Sequence, residues 1–172
     1  PHQPPARKSR GELVARFING DMPIDDYLTD VVGRSVEYAG FNLLVGNNHE
    51  LWHFNSRETE AVMLQPGVYG LSNAGLDTPW PKLLKARAAL EDALNDPQPK
   101  ALLALLNDSQ TAAFAELPDT GVGLATETLL SSVFIASPTY GTRASTALIV
   151  QADGTRHLVE RSFGPYGGHL GE

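Results

Sequence analysis

Near the start of the chain, apolar residues recur at helical spacing. Leu13, Phe17 and Ile18 share one face after Ser9-Arg-Gly-Glu12, a capping-box sequence in which Ser9 accepts from the backbone N–H three residues on and Glu12 reaches back to the cap. This predicts a first helix, stopped by Asn19-Gly20. Pro23 opens a second, with Ile24, Tyr27, Leu28, Val31 and Val32 on its apolar side and Asp25, Asp26, Asp30 and Arg34 left to solvent. From Phe41 the period shortens to two: residues 41–45 and 51–54 flank Gly46-Asn-Asn-His49 and predict a hairpin, and residues 61–64 and 68–72, joined by a Gln65-Pro-Gly67 turn, predict a second strand pair.

Thr78 as N-cap with Pro79 at the first helical position predicts a helix to Leu94 that buries Leu83, Leu84, Ala88 and Leu90. Residues 100–107 and 110–117 read as short helices, and 118–130 as a Gly- and Thr-rich stretch. Strand composition returns at 132–136, 145–151 and 156–163, the last two joined by an Asp153-Gly154 turn. Grouped helices and grouped strands, without strict alternation, predict an α+β layered fold rather than a doubly wound parallel sheet. Residues 1–8 read as an extended lead-in, 9–163 as a single domain and 164–172 as a loose tail.

Composition narrows the function classes. With 42% hydrophobic and 19% charged residues over 172 positions the chain has a globular composition, and it contains no apolar run long enough to span a bilayer. A net charge of −7 argues against nucleic acid as the main partner. These residues hold no cysteine, which excludes disulfides, thiolate metal sites and a Cys nucleophile among them.

The candidate chemistry is sparse. The five histidines, at 2, 49, 53, 157 and 169, form no HxxxH or HxH pair, so no metal site is expected; His49 reads as a turn residue and His53 and His157 as strand-face residues, with His53 the best ligand candidate. Trp52, Phe54, Tyr69 and Trp80 either line a flat apolar ligand site or belong to the core. Gly121-Val-Gly123 lacks the third glycine and preceding strand of a dinucleotide fingerprint, and Gly67 and Gly70 read as a turn and a close backbone approach. Arg143, between Gly141 and a strand, suits bidentate binding of a carboxylate or else a surface salt bridge.

Several stretches together resemble the NRDE family, known in animals as the transport and Golgi organization 2 proteins. They are Ser9-Arg-Gly-Glu-Leu-Val14, Gly40-Phe-Asn-Leu-Leu-Val-Gly46, residues 52–57, Gly67-Val-Tyr-Gly-Leu-Ser-Asn73 running into Leu76-Asp-Thr-Pro-Trp-Pro-Lys82, and Tyr140-Gly-Thr-Arg-Ala-Ser-Thr146 with Glu160-Arg161. The resemblance implies an N-terminal-nucleophile-hydrolase-like αββα sandwich of antiparallel sheets covered by helices. It also implies that the Cys and the Asn-Arg-Asp-Glu segment opening such proteins precede Pro1. Two functions follow as expectations. The first is haem binding and intracellular haem trafficking in the cytoplasm, with haem as a carried ligand, haem donor or acceptor proteins as partners, and His53, Trp52, Tyr69 and Trp80 as ligand-binding residues. The second is amide hydrolysis of acyl compounds by that preceding Cys, in which Asn73 donates to an oxyanion and Arg143 orients a carboxylate.

Overall fold

The computed structural model describes residues 8–172, so the lead-in read over 1–8 lies outside them except for Lys8. Its first two helices are α1 (Gly11–Ile18) and α2 (Ile24–Gly33); α2 buries Ile24, Tyr27, Leu28 and Val31 as expected with Val32 partly covered, whereas of the α1 stripe Leu13 is buried, Phe17 partly covered and Ile18, at the helix end, 72% exposed. The Tyr27 hydroxyl donates to the Leu13 carbonyl at 2.5 Å, which ties the two helices together. The reciprocal capping box does not form. Ser9 Oγ accepts from Gly11 N at 3.3 Å, while the Glu12 carboxylate accepts from the Tyr38 hydroxyl and lies within ion-pair range of Lys8 and Arg34. Tertiary cations outcompete the local cap for that carboxylate. Asp30 and Arg34 are likewise not simply solvated: Arg16 donates to Asp30 at 2.8 Å and Arg34 bridges Asp30 and Glu37 at 3.3 Å each.

The chain divides into two compact units. One comprises the chain up to Gly67 together with Asn73–Leu76; the other comprises Val68–Ser72 and Asp77–Glu172. In the first, strands β1 (Asn42–Gly46), β2 (Leu51–Asn55) and β3 (Val62–Met63) form an antiparallel sheet in that order. Asn47 Oδ1 accepts from the backbone N–H groups of His49 and Glu50, so the expected hairpin turn is held by an Asn side chain rather than by His49. Leu43, Val45 and Phe54 point into one core cluster with Leu13, Tyr27, Leu28 and Val31, with Trp52 packed against it. The opposite face carries Leu44 paired with His53 and Asn42 paired with Asn55, beside exposed Val62. The second strand pair is not as expected, because β3 pairs with β2 while 68–72 joins neither sheet among the described residues.

In the second unit, α3 (Pro81–Ala93) packs on α4 (Pro99–Leu105), and α4 lies across β4 (Ala144–Val150) and β5 (Arg156–Phe163). The Asp153-Gly154 turn forms as expected, Gly154 supplying a φ of +86°. α3 starts two residues later than Thr78 and Pro79 imply. Trp80 precedes Pro81, a position biased to extended backbone, and its ψ of 143° makes it the N-cap. Only Leu83 of the four expected residues on α3 is fully buried; Leu84 and Ala88 are exposed and Leu90 partly covered.

Further differences trace to loop partners that a local pattern does not display. Residues 110–117 make only a single 3-10 turn, Phe114–Glu116, since Ala113 is extended and Leu117 precedes Pro118. Residues 132–136 do not form a strand: Phe134 N donates to the Asp108 carbonyl and Ile135 N to the Thr142 hydroxyl. Within 118–130 lies an unforeseen helix, α5 (Leu124–Leu130), which starts after Gly121 and Gly123, both at positive φ. The stretch read as a loose tail is ordered. Within it β6 (His169–Gly171) pairs with β5, Arg161 holds Glu172 at 2.9 Å, and a Cβ on Gly167 would meet Phe134 at 2.7 Å. The protein is thus a mixed α/β fold with two small antiparallel sheets and five α-helices among the described residues.

Gly70 leaves no room for a side chain. A Cβ there would lie 2.4 Å and 2.5 Å from Cδ2 and Cγ of buried Leu83. Gly70→Ala is expected to cost about 1–3 kcal/mol by overpacking. A urea titration should show the lowered midpoint, and Leu83→Ala in the same chain should recover part of it.

Candidate functional site

On the face of the first sheet opposite the helices, β2 carries His53, 7% exposed, diagonally across from Asn42. In the tautomer protonated at Nε2 the imidazole donates to Asn42 Oδ1 at 3.0 Å. Burial pushes its pKa below the ordinary histidine value, with Glu58 working weakly the other way. His53 is therefore a neutral, hydrogen-bonded imidazole at neutral pH. Trp52 is its neighbour in sequence but, because strand side chains alternate, sits on the opposite, helix-covered face, its indole N–H donating to Glu50 at 2.8 Å. One ligand cannot lie between Trp52 and His53, and Trp52 takes the core role. Phe54 is fully buried in the same cluster.

Asn55 was not singled out by residue type, yet it organises this end of β2. Its Nδ2 donates to the Ala74 carbonyl at 2.8 Å and its Oδ1 accepts from Arg57 N at 2.9 Å, so a buried amide ties the 73–76 segment to the strand. Asn73, next along, is exposed and makes no side-chain hydrogen bond among the described residues. Sequence spacing could have suggested Asn55, as a polar residue on an otherwise buried strand end.

The second unit holds Tyr69, Trp80 and Arg143. Gly70 and Asp77 close a loop on each other: Asp77 N donates to the Gly70 carbonyl at 2.7 Å, and Asp77 Oδ1 accepts from Gly70 N at 2.8 Å and from Arg87 of α3 at 3.2 Å. Asp77 reaches this position at a φ of +51°, a conformation Asp tolerates better than most residues. The closed loop carries Tyr69, half-buried, on one side, and the chain leaving it runs to Trp80 at the head of α3. Half-buried Trp80 has the Lys82 ammonium 5.6 Å from its ring centroid. Lys82 Nζ also donates to the Leu130 carbonyl at 2.6 Å, and burial lowers its pKa from the usual lysine value. Arg143, exposed at the head of β4, makes no ion pair among the described residues, so the surface salt bridge expected as its ordinary role is not formed there.

The remaining histidines do not converge. His49 sits in the exposed hairpin turn, His157 on exposed β5 beside Gln151, and His169 on β6 against Phe163; His2 lies outside the described residues. Among the described residues no cluster of three His, Asp or Glu side chains is placed to hold a metal ion, and no helix is long and apolar enough to cross a membrane.

The stretch from Gly67 to Lys82, in which Gly70, Asp77, Trp80 and Lys82 all have structural work, lies inside the match of the family model "Transport and Golgi organisation 2", which spans residues 1–165. The chain belongs to the Transport and Golgi organisation 2 family. Similar curated proteins are the Transport and Golgi organization protein 2 homologs of Bos taurus and Homo sapiens, each 36% identical over 91% of this chain, and that of Mus musculus, 33% identical over 95%. The chain spans 62–65% of the length of these relatives. In this Transport and Golgi organisation 2 chain, the Gly67–Lys82 stretch thus builds a closed loop and a helix head that present an indole and an ammonium side by side.

His53 supplies a pH test. Its folded pKa is depressed relative to the unfolded chain, near 6.5, so its stabilising contribution is present above that pH and is lost as pH falls through the folded value. In an NMR titration the His53 ring should titrate below the ordinary histidine value of about 6.5. An equal or higher midpoint would contradict the buried, neutral assignment.

Proposed function

We propose that this chain binds haem reversibly and serves intracellular haem trafficking in the cytoplasm, exchanging its cargo with donor and acceptor proteins. The observation that supports this reading best is Trp80, a half-buried indole held at the head of a helix by the Pro81 start and the Gly70–Asp77 loop. Such a ring offers a flat apolar surface for a planar ligand, and Tyr69 is the second aromatic of the same unit. A carrier has to release its cargo, so moderate affinity without strong axial ligation suits it. His53 fits that requirement, because it is buried on β2 and its ring is not presented to a ligand at the surface.

As scaffold we propose the N-terminal-nucleophile-hydrolase-like αββα sandwich. Its support is that each unit is an antiparallel sheet with helices on one face and exposed apolar residues on the other, Leu44 and Val62 in the first, Leu148 and Leu158 in the second. A second reading of function, an amidohydrolase or acylase whose nucleophilic Cys precedes these residues, is favoured by the exposed guanidinium of Arg143, which makes no ion pair among the described residues and could orient a substrate carboxylate while Asn73 donates to the oxyanion.

Titration of ferric haem into the 172-residue chain, followed in the Soret region, tests the carrier. Saturable one-to-one binding is expected, weakened about three- to tenfold in Trp80→Ala by loss of ring stacking. His53→Ala should leave the Soret maximum in place. Absence of a saturable shift in the unaltered chain overturns the reading.

A further inference from the structure

The cations of α3 are not alike. Lys85 pairs with Asp108, and Arg87 pairs with Asp77 and Glu91. Lys82 makes no ion pair among the described residues, although it is partly buried. It stands in the first turn of the helix, one residue after Pro81, where the macrodipole disfavours positive charge. One of its three N–H donors is used by the carbonyl of Leu130, the last residue of α5, and its charge rests against the Trp80 ring. The C-terminal carbonyl of α5 and the Trp80 ring offer this partly buried ammonium only partial negative charge, and no full counter-charge meets it among the described residues.

We propose that Lys82 is a carboxylate-binding residue, taking the carboxylate of a planar apolar ligand whose body lies on the Trp80 indole. The anion supplies the counter-charge that this chain does not provide among its described residues, and two ammonium N–H groups remain to donate to its oxygens. The ring and the cation, two residues apart on one extended N-cap and first helical turn, address the two parts of such a molecule together. The lowered pKa of the amine fits an ammonium whose burial becomes favourable when an anion arrives. Haem, with a flat macrocycle and two propionates, belongs to this class; the inference rests on the carrier reading above and specifies how its ligand is gripped.

The test compares ferric protoporphyrin IX with its dimethyl ester, which keeps the macrocycle and removes both carboxylates. Each is titrated into the 172-residue chain and into Lys82→Met and Lys82→Arg, with Soret absorbance and tryptophan fluorescence as readouts. The unaltered chain should bind the ester about tenfold or more weakly than the acid, the loss expected for a charge-assisted hydrogen bond. Lys82→Met should bind both with the weaker affinity, and Lys82→Arg should restore the preference. Equal affinity of the unaltered chain for acid and ester overturns the inference and leaves the carrier reading standing, as does an undiminished preference in Lys82→Met. Saturable binding of neither porphyrin overturns both. Because the ester comparison needs no substitution, it holds even if loss of the Leu130 tether unfolds Lys82→Met.

Discussion

At Gly70 the backbone meets the side chain of Leu83 so closely that no Cβ fits between them. Leu83 is buried and belongs to the first turns of α3, so this contact fixes how near the loop can approach the helix. Gly70 is then locked by two hydrogen bonds to Asp77, and Asp77 is gripped by Arg87, one turn beyond Leu83 on the same helix. Glycine, aspartate and arginine thus close a ring of constraints around the head of α3. Trp80 and Lys82 lie inside that ring, and their relation to each other depends on it.

The periodic signals in the sequence located most of the regular elements, and the departures share one physical origin. The amphipathic stripes of α1 and α2 and the alternation of β1, β2, β4 and β5 are properties of single segments, and the structure follows them. Where a segment's hydrogen bonds are taken by distant partners, the local reading fails. Val68–Ser72 has strand composition, yet its central glycine bonds across a loop to Asp77. Residues 132–136 look the same, but their amides go to Asp108 and Thr142. In the C-terminal residues, aperiodic sequence conceals an added strand held by backbone pairing and an ion pair with Arg161.

The site was legible to a similar degree and for similar reasons. Aromatic character alone brought Trp52, Tyr69 and Trp80 to notice, but strand alternation puts Trp52 in the core, so only the latter two remain available as ring surfaces in the second unit. Lys82 ends the Leu76–Lys82 block but has no chemical signal in its residue type, because a lysine near a helix start is ordinarily a solvated charge. The signal that does mark it is positional: a cation placed after a proline at the positive end of a helix, beside a tryptophan, goes against the electrostatic grain of the helix. Asn55 carries a comparable signal, a polar residue on an otherwise buried strand end, but its partner, a carbonyl nineteen residues away, is set by the tertiary fold.

An indole and a half-buried ammonium make a grip of limited strength, and that limit bears on the proposed role. Ring stacking contributes about 0.5–1.5 kcal/mol beyond area burial, and a charge-assisted hydrogen bond about 1.5–3 kcal/mol. Neither approaches the free energy of a tightly retained prosthetic group, about 12 kcal/mol for nanomolar affinity. The remainder must come from apolar contact, which a partner protein can replace piece by piece during transfer. A buried His53, hydrogen-bonded to Asn42, is not held out for axial ligation, so no strong iron bond has to be broken. In such an arrangement the carboxylate fixes orientation, the indole fixes the plane, and release needs only exchange of surfaces, which is the energetic condition for a carrier rather than a holoenzyme.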